Sequence, residues 1–214
     1  MSHHSATSRA DAKTDAGPSS DVAFSARVKA LQARKGSRSA YARMEAAGGW
    51  ADRIDEDLAG FIEQQTSVFF ATASADGQPY VQHRGGPPGF LRVIDDRTIA
   101  FADFDGNRQF ITQGNLDENP KAQIFFIDYA TRRRIKVWGT AKIVEDDPDL
   151  VRSLMPPGYK ARASRAVVFT VTAWDANCPQ HIPQRLEAAD VQAALAARDA
   201  RIAELEARLA GEVR

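Results

Sequence analysis

The side chains best suited to bind a ligand lie between Gly77 and Asn115, where arginines stand close to glycine-rich turns. One of them, Arg108, follows Gly106 and Asn107 at the end of an apolar run, and Asn107 is a candidate N-cap for a helix. A helix N-terminus presents unpaired N–H groups, and an arginine adds a charged donor that suits phosphate. This turn is therefore a candidate anion site, although the same pattern is also typical of a plain surface turn.

A second group of polar side chains lies between Trp174 and Pro183, in a segment without regular periodicity. Cys178 and His181 could form a nucleophile and base, or could join His83 at a zinc ion. The chain has no CxxC motif or histidine pair to complete four zinc ligands, so we expect no metal site. We interpret the segment as a loop that lines a pocket, with a purely structural loop as the alternative.

The elements that must position the first group are short strands. The Asp-Gly dipeptide at 76–77 follows an apolar run and predicts a hairpin, because the favoured two-residue turn needs positive φ at both central positions. In the strand that follows, alternation directs Tyr80, Gln82 and Arg84 to one face. The glycines and prolines of residues 85–89 then predict a bend where the backbone can lie close to a ligand.

The remaining elements give a mostly β domain with flanking helices. Strand-like runs occupy residues 90–94, 98–104, 121–129, 135–145 and 166–173. Helical periodicity is found between Phe24 and Gln65, where Asp55 is a candidate cap. It returns from Asp147 to about Met155, where a proline occupies the first turn. This order predicts an α+β fold.

Composition limits the class of protein. The 214 residues include 28 Lys and Arg and 28 Asp and Glu, so there is no excess charge to attract nucleic acid or an anionic membrane. The chain has one cysteine and no long apolar segment, and we expect a cytoplasmic protein without disulfides or membrane spans. We divide it into a disordered tail (1–22), one domain with its N-terminal helices (23–185) and a C-terminal helix (186–214).

The C-terminal helix carries apolar residues at heptad spacing. Leu195, Ile202 and Leu209 are seven residues apart, and Val191 and Leu205 lie near the intervening positions. This pattern is typical of a short coiled coil of about three heptads. An amphipathic helix folded onto its own domain is the alternative.

Four motifs together resemble one known family. They are QHRGGPPGFL, AFADFDGNRQ, RRRIKVWG and NCPQHIPQR. In that order along the chain they resemble the pyridoxamine 5′-phosphate oxidase superfamily, and more closely its branch of oxidase-related flavin-nucleotide-binding proteins. The resemblance covers about residues 61–185. It implies a six-stranded antiparallel split β-barrel that forms a homodimer, with FMN bound in clefts at the subunit interface.

The resemblance also implies a set of cofactor-binding residues. Arg92 stands where the oxidases have a flavin-binding lysine, and Arg134 stands in place of a flavin-contacting glutamine. The triplet 107–109 matches a Ser-Arg-Lys motif, in which the arginine is retained. The full set implied to bind FMN is Arg84, Gly89, Phe90, Leu91, Arg92, Ala102, Asp103, Asn107, Arg108, Gln109 and Arg134.

The function implied is that of an FMN-dependent oxidoreductase acting on an unidentified small molecule. Because the flavin itself transfers electrons, no acid–base pair is required, and His83 and His181 are the candidates for proton delivery. The departures from the oxidase motifs argue against pyridoxamine phosphate as the substrate. Two alternatives remain open, namely a flavin carrier or sensor without turnover, and a split barrel that binds deazaflavin or haem.

Overall fold

A seven-stranded antiparallel sheet forms the centre of the protein. The computed structural model describes residues 17–212, with side chains described as far as residue 210. The strands are β1 (Ser67–Ala73), β2 (Pro79–Gly85), β3 (Arg92–Asp95), β4 (Thr98–Phe104), β5 (Lys121–Asp128), β6 (Arg133–Val144) and β7 (Ala163–Asn177). They lie in the order β2-β1-β5-β6-β7-β4-β3.

This arrangement confirms the α+β split-barrel-like fold that was expected, with two differences. The sheet has seven strands rather than the six that the resemblance implies, and they include the strand predicted at 90–94, which is the short edge strand β3 paired with β4. The sheet is also not closed by hydrogen bonds, so β2 and β3 remain as its two edges. A gap, which we call the split, separates β2 from β4 on the opposite half of the sheet.

Residues 17–212 also form six α-helices and a 3₁₀ helix. The 3₁₀ helix is Ser19–Val22, and the α-helices are α1 (Ala26–Lys35), α2 (Arg38–Ala46), α3 (Glu56–Gln64), α4 (Ile111–Glu118), α5 (Pro148–Leu154) and α6 (Ala188–Glu212). The cap predicted at Asp55 and the helix start predicted at Asp147 are both confirmed. Asp55 accepts a hydrogen bond from the backbone N–H of Leu58, and Asp147 accepts one from that of Leu150, each at 2.8 Å.

The main hydrophobic core packs against the single sheet and is rich in phenylalanine. Phe70, Phe101 and Phe169 are buried and meet edge to face, with ring centroids 6.1 and 6.3 Å apart. Gly139 marks a bulge where β6 crosses β7 closely, since a Cβ atom there would lie 2.0 Å from the carbonyl oxygen of Thr170. The two longest strands can therefore bend into a half-barrel.

Aromatic side chains hold the N-terminal helices against the outside of β6. Trp50 stacks on Trp138 with ring centroids 4.8 Å apart and an angle of 8° between the rings, and Phe24 packs against Trp50 at 5.0 Å. Within this segment Arg38 hydrogen bonds the carboxylate of Glu45, and that bond is the main cause that lowers the pKa of Glu45 below its usual value. The first helices are therefore part of the folded domain.

Most of the predicted disordered tail, residues 1–16, lies outside the described residues. Within the last part of that segment a 3₁₀ helix covers residues 19–22, and Ser20 is fully buried. At the other end, α6 is a single helix of 25 residues. Within residues 17–212, none of the helices combines the length and the apolar character that a membrane crossing requires.

Candidate functional site

A buried carboxylate bound by two arginines lies in the split. Asp103, at the end of β4, is 3% exposed. Its Oδ1 accepts a hydrogen bond from Nη1 of Arg84 on β2 at 2.5 Å, and its Oδ2 accepts one from Nε of Arg165 on β7 at 2.6 Å. Because β2 and β4 do not pair, this ion-pair cluster joins the two sides of the split.

The cluster forms one wall of a polar cavity. We call it the arginine cavity, and its charged lining residues are Arg84, Asp103, Arg108 and Arg165. Three arginines thus face one carboxylate. Tyr80 and Gln82 line the same cavity together with Arg84, which confirms the strand face predicted from alternation. The excess of positive charge makes the cavity a candidate site for an anionic group.

The loop after β4 closes this cavity in an unusual backbone conformation. Arg108 and Phe110 both have positive φ, at 58° and 56°. The guanidinium carbons of Arg108 and Arg165 lie 5.8 and 5.1 Å from the centre of the Phe110 ring. Non-glycine residues rarely adopt this left-handed conformation, and such residues are concentrated at ligand-binding sites.

The N-cap prediction at Asn107 is wrong. Helix α4 begins at Ile111, its N-cap residue is Phe110, and no side chain caps it. The Asn107 side chain instead accepts a hydrogen bond from the backbone N–H of Gln109 at 3.3 Å, within the loop that precedes the helix. The first N–H groups of α4 are consequently left for another acceptor.

Side chains of α4 fix the neighbouring strands. Thr112 donates its hydroxyl to Oε1 of Gln82 at 2.9 Å, and Asn115 donates to the hydroxyl of Thr72 at 3.0 Å. Thr72, Thr112 and Asn115 are buried. The start of α4 is therefore held rigidly at the edge of the arginine cavity, and Gln82 has a defined orientation.

A second, aromatic cavity adjoins the first. Its volume is about 210 Å³, and Phe90, Phe101, Ala102 and Phe104 provide its apolar lining. The two cavities share Gln82, Arg84, Phe104 and Gly106. His83 also lines the aromatic cavity, and its Nε2 lies 2.9 Å from the hydroxyl oxygen of Ser67. A ligand with an aromatic ring and an anionic group could occupy both.

The structure brings together seven of the eleven residues implied to bind FMN. Arg84, Phe90, Ala102, Asp103, Asn107, Arg108 and Gln109 line one or both cavities. The other four, Gly89, Leu91, Arg92 and Arg134, line neither. Leu91 is fully buried, and Nε of Arg92 lies 4.0 Å from the carboxylate of Glu63.

Two predicted candidates lie elsewhere in the chain. Arg134 is at the start of β6, where its buried Nε has no hydrogen-bond partner among the described residues. His181 is exposed and belongs to the loop after β7. That loop is attached to the β5–β6 turn, since Arg185 N–H donates to the carbonyl of Tyr129 at 3.2 Å. It does not line either cavity.

Sequence reasoning missed Arg165 and Phe110. Arg165 reaches Asp103 only because β7 pairs with β4 across 62 positions of sequence. No local pattern distinguishes this arginine from others on a strand. For Phe110 a signal was present, because a large aromatic residue directly after a candidate anion-binding turn is a candidate stacking surface.

Comparison with known proteins places these features in a family. The sequence profile described as pyridoxamine 5′-phosphate oxidase matches residues 54–178, more than half of the chain. A comparison with curated proteins gave no match.

Among solved structures, the chain is similar to HupZ from Group A Streptococcus, with 17% identity over 62% of this chain and 99% of that one, and a TM-score of 0.48. It is similar to an FMN-binding protein from Syntrophomonas wolfei, with 14% identity, coverage of 57% and 85%, and a TM-score of 0.46. It is also similar to HutZ, the haem storage protein from Vibrio cholerae, with 16% identity, coverage of 58% and 94%, and a TM-score of 0.39. On the strength of the profile match, the chain belongs to the pyridoxamine 5′-phosphate oxidase family.

Proposed function

We propose that this protein is an FMN-binding flavoprotein of the cytoplasm and an oxidoreductase that acts on a small molecule. The observation that carries the proposal is the pair of adjoining cavities, one rich in arginine and the other aromatic. FMN has the matching chemistry, since a phosphate dianion is joined to a flat aromatic ring system. Family membership supports the same cofactor.

The phosphate would occupy the arginine cavity. Nε of Arg84 is buried and has no partner among the described residues, so it is a donor without an acceptor. The exposed Arg108 and the uncapped start of α4 offer further donors on the same side. A buried donor without a partner is costly, and an anion placed here would remove that cost. The residues present therefore fit a phosphate group.

The ring system would occupy the aromatic cavity and extend beyond it. When bound, the flavin supplies the electron transfer. The exposed His83 at the cavity rim would carry protons to or from solvent.

We include a homodimer in the proposal, because the cavities lie along the open edge of the sheet. A second subunit placed against β2 would cover the exposed side of the ring. Arg92 and Arg134 lie outside both cavities of their own subunit, so in this proposal any contact they make with flavin would be with the flavin bound by the partner.

The test begins with the absorption spectrum of the purified protein and identification of any chromophore released by heat. Titration with FMN should then show weaker binding by several-fold or more in R108A and in R165A, because each removes a charged donor from the cavity. R152A is the matched control, since Arg152 lies on α5 with its side chain 70% exposed and pairs with Asp149 on the same helix. Equal affinity in all three variants would refute the phosphate assignment.

Reduction of the bound flavin by NADH or NADPH distinguishes an oxidoreductase from a flavin carrier or sensor. Flavin bands that bleach with NADH or NADPH would support the oxidoreductase and justify a substrate screen. Bound FMN that neither donor reduces would favour a carrier or sensor. Release of haem or deazaflavin in place of FMN would contradict the cofactor assignment.

A further inference from the structure

Helix α6 presents an apolar seam that the rest of the described chain leaves uncovered. The seam consists of Val191, Leu195, Ile202, Leu205 and Leu209, whose exposed fractions lie between 40% and 62%. A groove of about 290 Å³ on this side is lined only by Leu186 and residues of the helix itself. A run of large apolar side chains exposed along one helix face is typical of a surface that a partner helix covers.

The seam follows a heptad repeat. Counting from Leu195 as position a, the a residues are Leu195, Ile202 and Leu209, and the d residues are Val191, Arg198 and Leu205. We propose that α6 pairs with α6 of a second copy of this chain, as a parallel, in-register, two-stranded coiled coil. The proposal does not depend on the cofactor, because no seam residue lines either cavity of the flavin site.

Charges beside the seam decide the orientation. Arg201 occupies position g, and Glu206 occupies position e of the next heptad. In a parallel pair these positions meet across the interface, so Arg201 would contact Glu206 of the partner subunit, twice per dimer. In an antiparallel pair overlapping along the whole helix, Arg201 would face Arg201 of the partner subunit, and Asp199 would face Asp199 of the partner subunit. Like charges would then meet on both sides.

The arginine within the seam supports the same register. Arg198 is the only charged residue among the six a and d positions, the other five of which form the apolar seam. In a parallel dimer, a side chain at position d packs between residues of the partner helix, and one of these is the residue at position e. For Arg198 at d, that residue is Asp199 of the partner subunit. Each Arg198 would thus have a carboxylate of the partner subunit beside it. A polar residue at one seam position lowers stability but specifies the register.

A cross-linking experiment tests pairing and orientation together. The single native cysteine is first removed as C178S, and L205C is added in the full-length chain. A parallel, in-register seam places the two new thiols opposite each other, so mild oxidation should convert most of the protein to a covalent dimer. The control A203C lies at the outward position b, and its yield should be lower by about tenfold, because its thiols have no raised effective concentration.

Exchange of charges gives the second readout. In the L205C, C178S background, R201E and E206K should each lower the cross-link yield, and the double variant R201E, E206K should restore it. Arg201 and Glu206 do not pair within one helix, since Arg201 pairs there with Glu204 at 2.5 Å. Circular dichroism of each variant shows whether the fold is retained.

Three results would overturn the proposal. The first is an equal yield from L205C and A203C, and the second is no cross-link at L205C under conditions where the protein retains its fold. The third is cross-linking only when L195C protein is mixed with L205C protein, which would show an antiparallel pair. FMN binding is measured separately on each variant, so failure of the coiled coil and failure of the flavin proposal can be told apart.

Discussion

The buried carboxylate in the split allows a quantitative test of the site. In D103N the amide keeps the shape of Asp103 but loses the charge that two arginines share. Two charge-assisted hydrogen bonds of roughly 1.5–3 kcal/mol each give about 3–6 kcal/mol. Arg84 and Arg165 keep 15% exposure, so water recovers part of this, and we expect the free energy of unfolding to fall by about 3 kcal/mol.

In a domain of this size, that loss corresponds to a decrease in Tm of about 6–12 °C, measured by circular dichroism at neutral pH. The control is D96N, which breaks the ion pair with Arg53 at the surface, where the two side chains are 58% and 51% exposed. It should cost less than about 1 kcal/mol. If D103N melts no lower than D96N, the hydrogen bonds from Arg84 and Arg165 to Asp103 do not stabilise the fold, which would refute the prediction.

The same variant tests whether the cavity binds anions. Without the carboxylate, Arg84 and Arg165 face the cavity with free donors and more positive charge. Inorganic phosphate should therefore raise the Tm of D103N by more than it raises that of the wild type or of D96N. An equal rise in all three proteins would show that phosphate does not bind beside Asp103.

Three further predictions concern the scaffold. G139A should destabilise the fold by about 3 kcal/mol in urea unfolding, because its Cβ would meet a carbonyl oxygen of β7, and a variant as stable as the wild type would contradict the close crossing. The hydrogen bond from Arg38 lowers the pKa of Glu45 from its ordinary value of 4.5. The ionised carboxylate therefore stabilises the folded state fully above pH 4.5, and this stabilisation is lost as the pH falls through the lowered pKa. The stability difference between wild type and E45Q should therefore shrink from pH 7 to about pH 3, and a constant difference would refute this. W138A removes the stacking partner of Trp50, so limited proteolysis should cut within the N-terminal helices several-fold faster, and an unchanged cleavage pattern would show that these helices are held in another way.

Local rules predicted those parts of the molecule that depend on neighbours in sequence. Strand alternation placed Gln82 and Arg84 on the same strand face, and the rules for helix starts found the cap at Asp55 and the helix start at Asp147. In each case the residues that decide the structure lie within a few positions of one another.

The errors arose where distant residues decide. Asn107 has the right chemistry for a cap, yet the path of the chain from β4 to α4 uses left-handed Arg108 and Phe110 and moves the helix start to Ile111. Arg165 was missed because only the pairing of β7 with β4 brings it to Asp103. Two of the three residues of the ion-pair cluster, Arg84 and Asp103, were thus in the predicted set, and the third required the sheet topology.

The position of the tryptophans gives the protein two separate optical signals. All three tryptophans of the chain lie where the N-terminal segment meets the sheet, with Trp50 stacked on Trp138 and Trp174 donating its ring N–H to the carbonyl of Arg53 at 2.7 Å. None of them lines the arginine cavity or the aromatic cavity. Intrinsic fluorescence therefore reports the docking of the N-terminal helices, whereas the emission of a bound flavin would report the site. Recorded on one sample during unfolding, the two emissions distinguish release of the N-terminal segment from loss of the binding site.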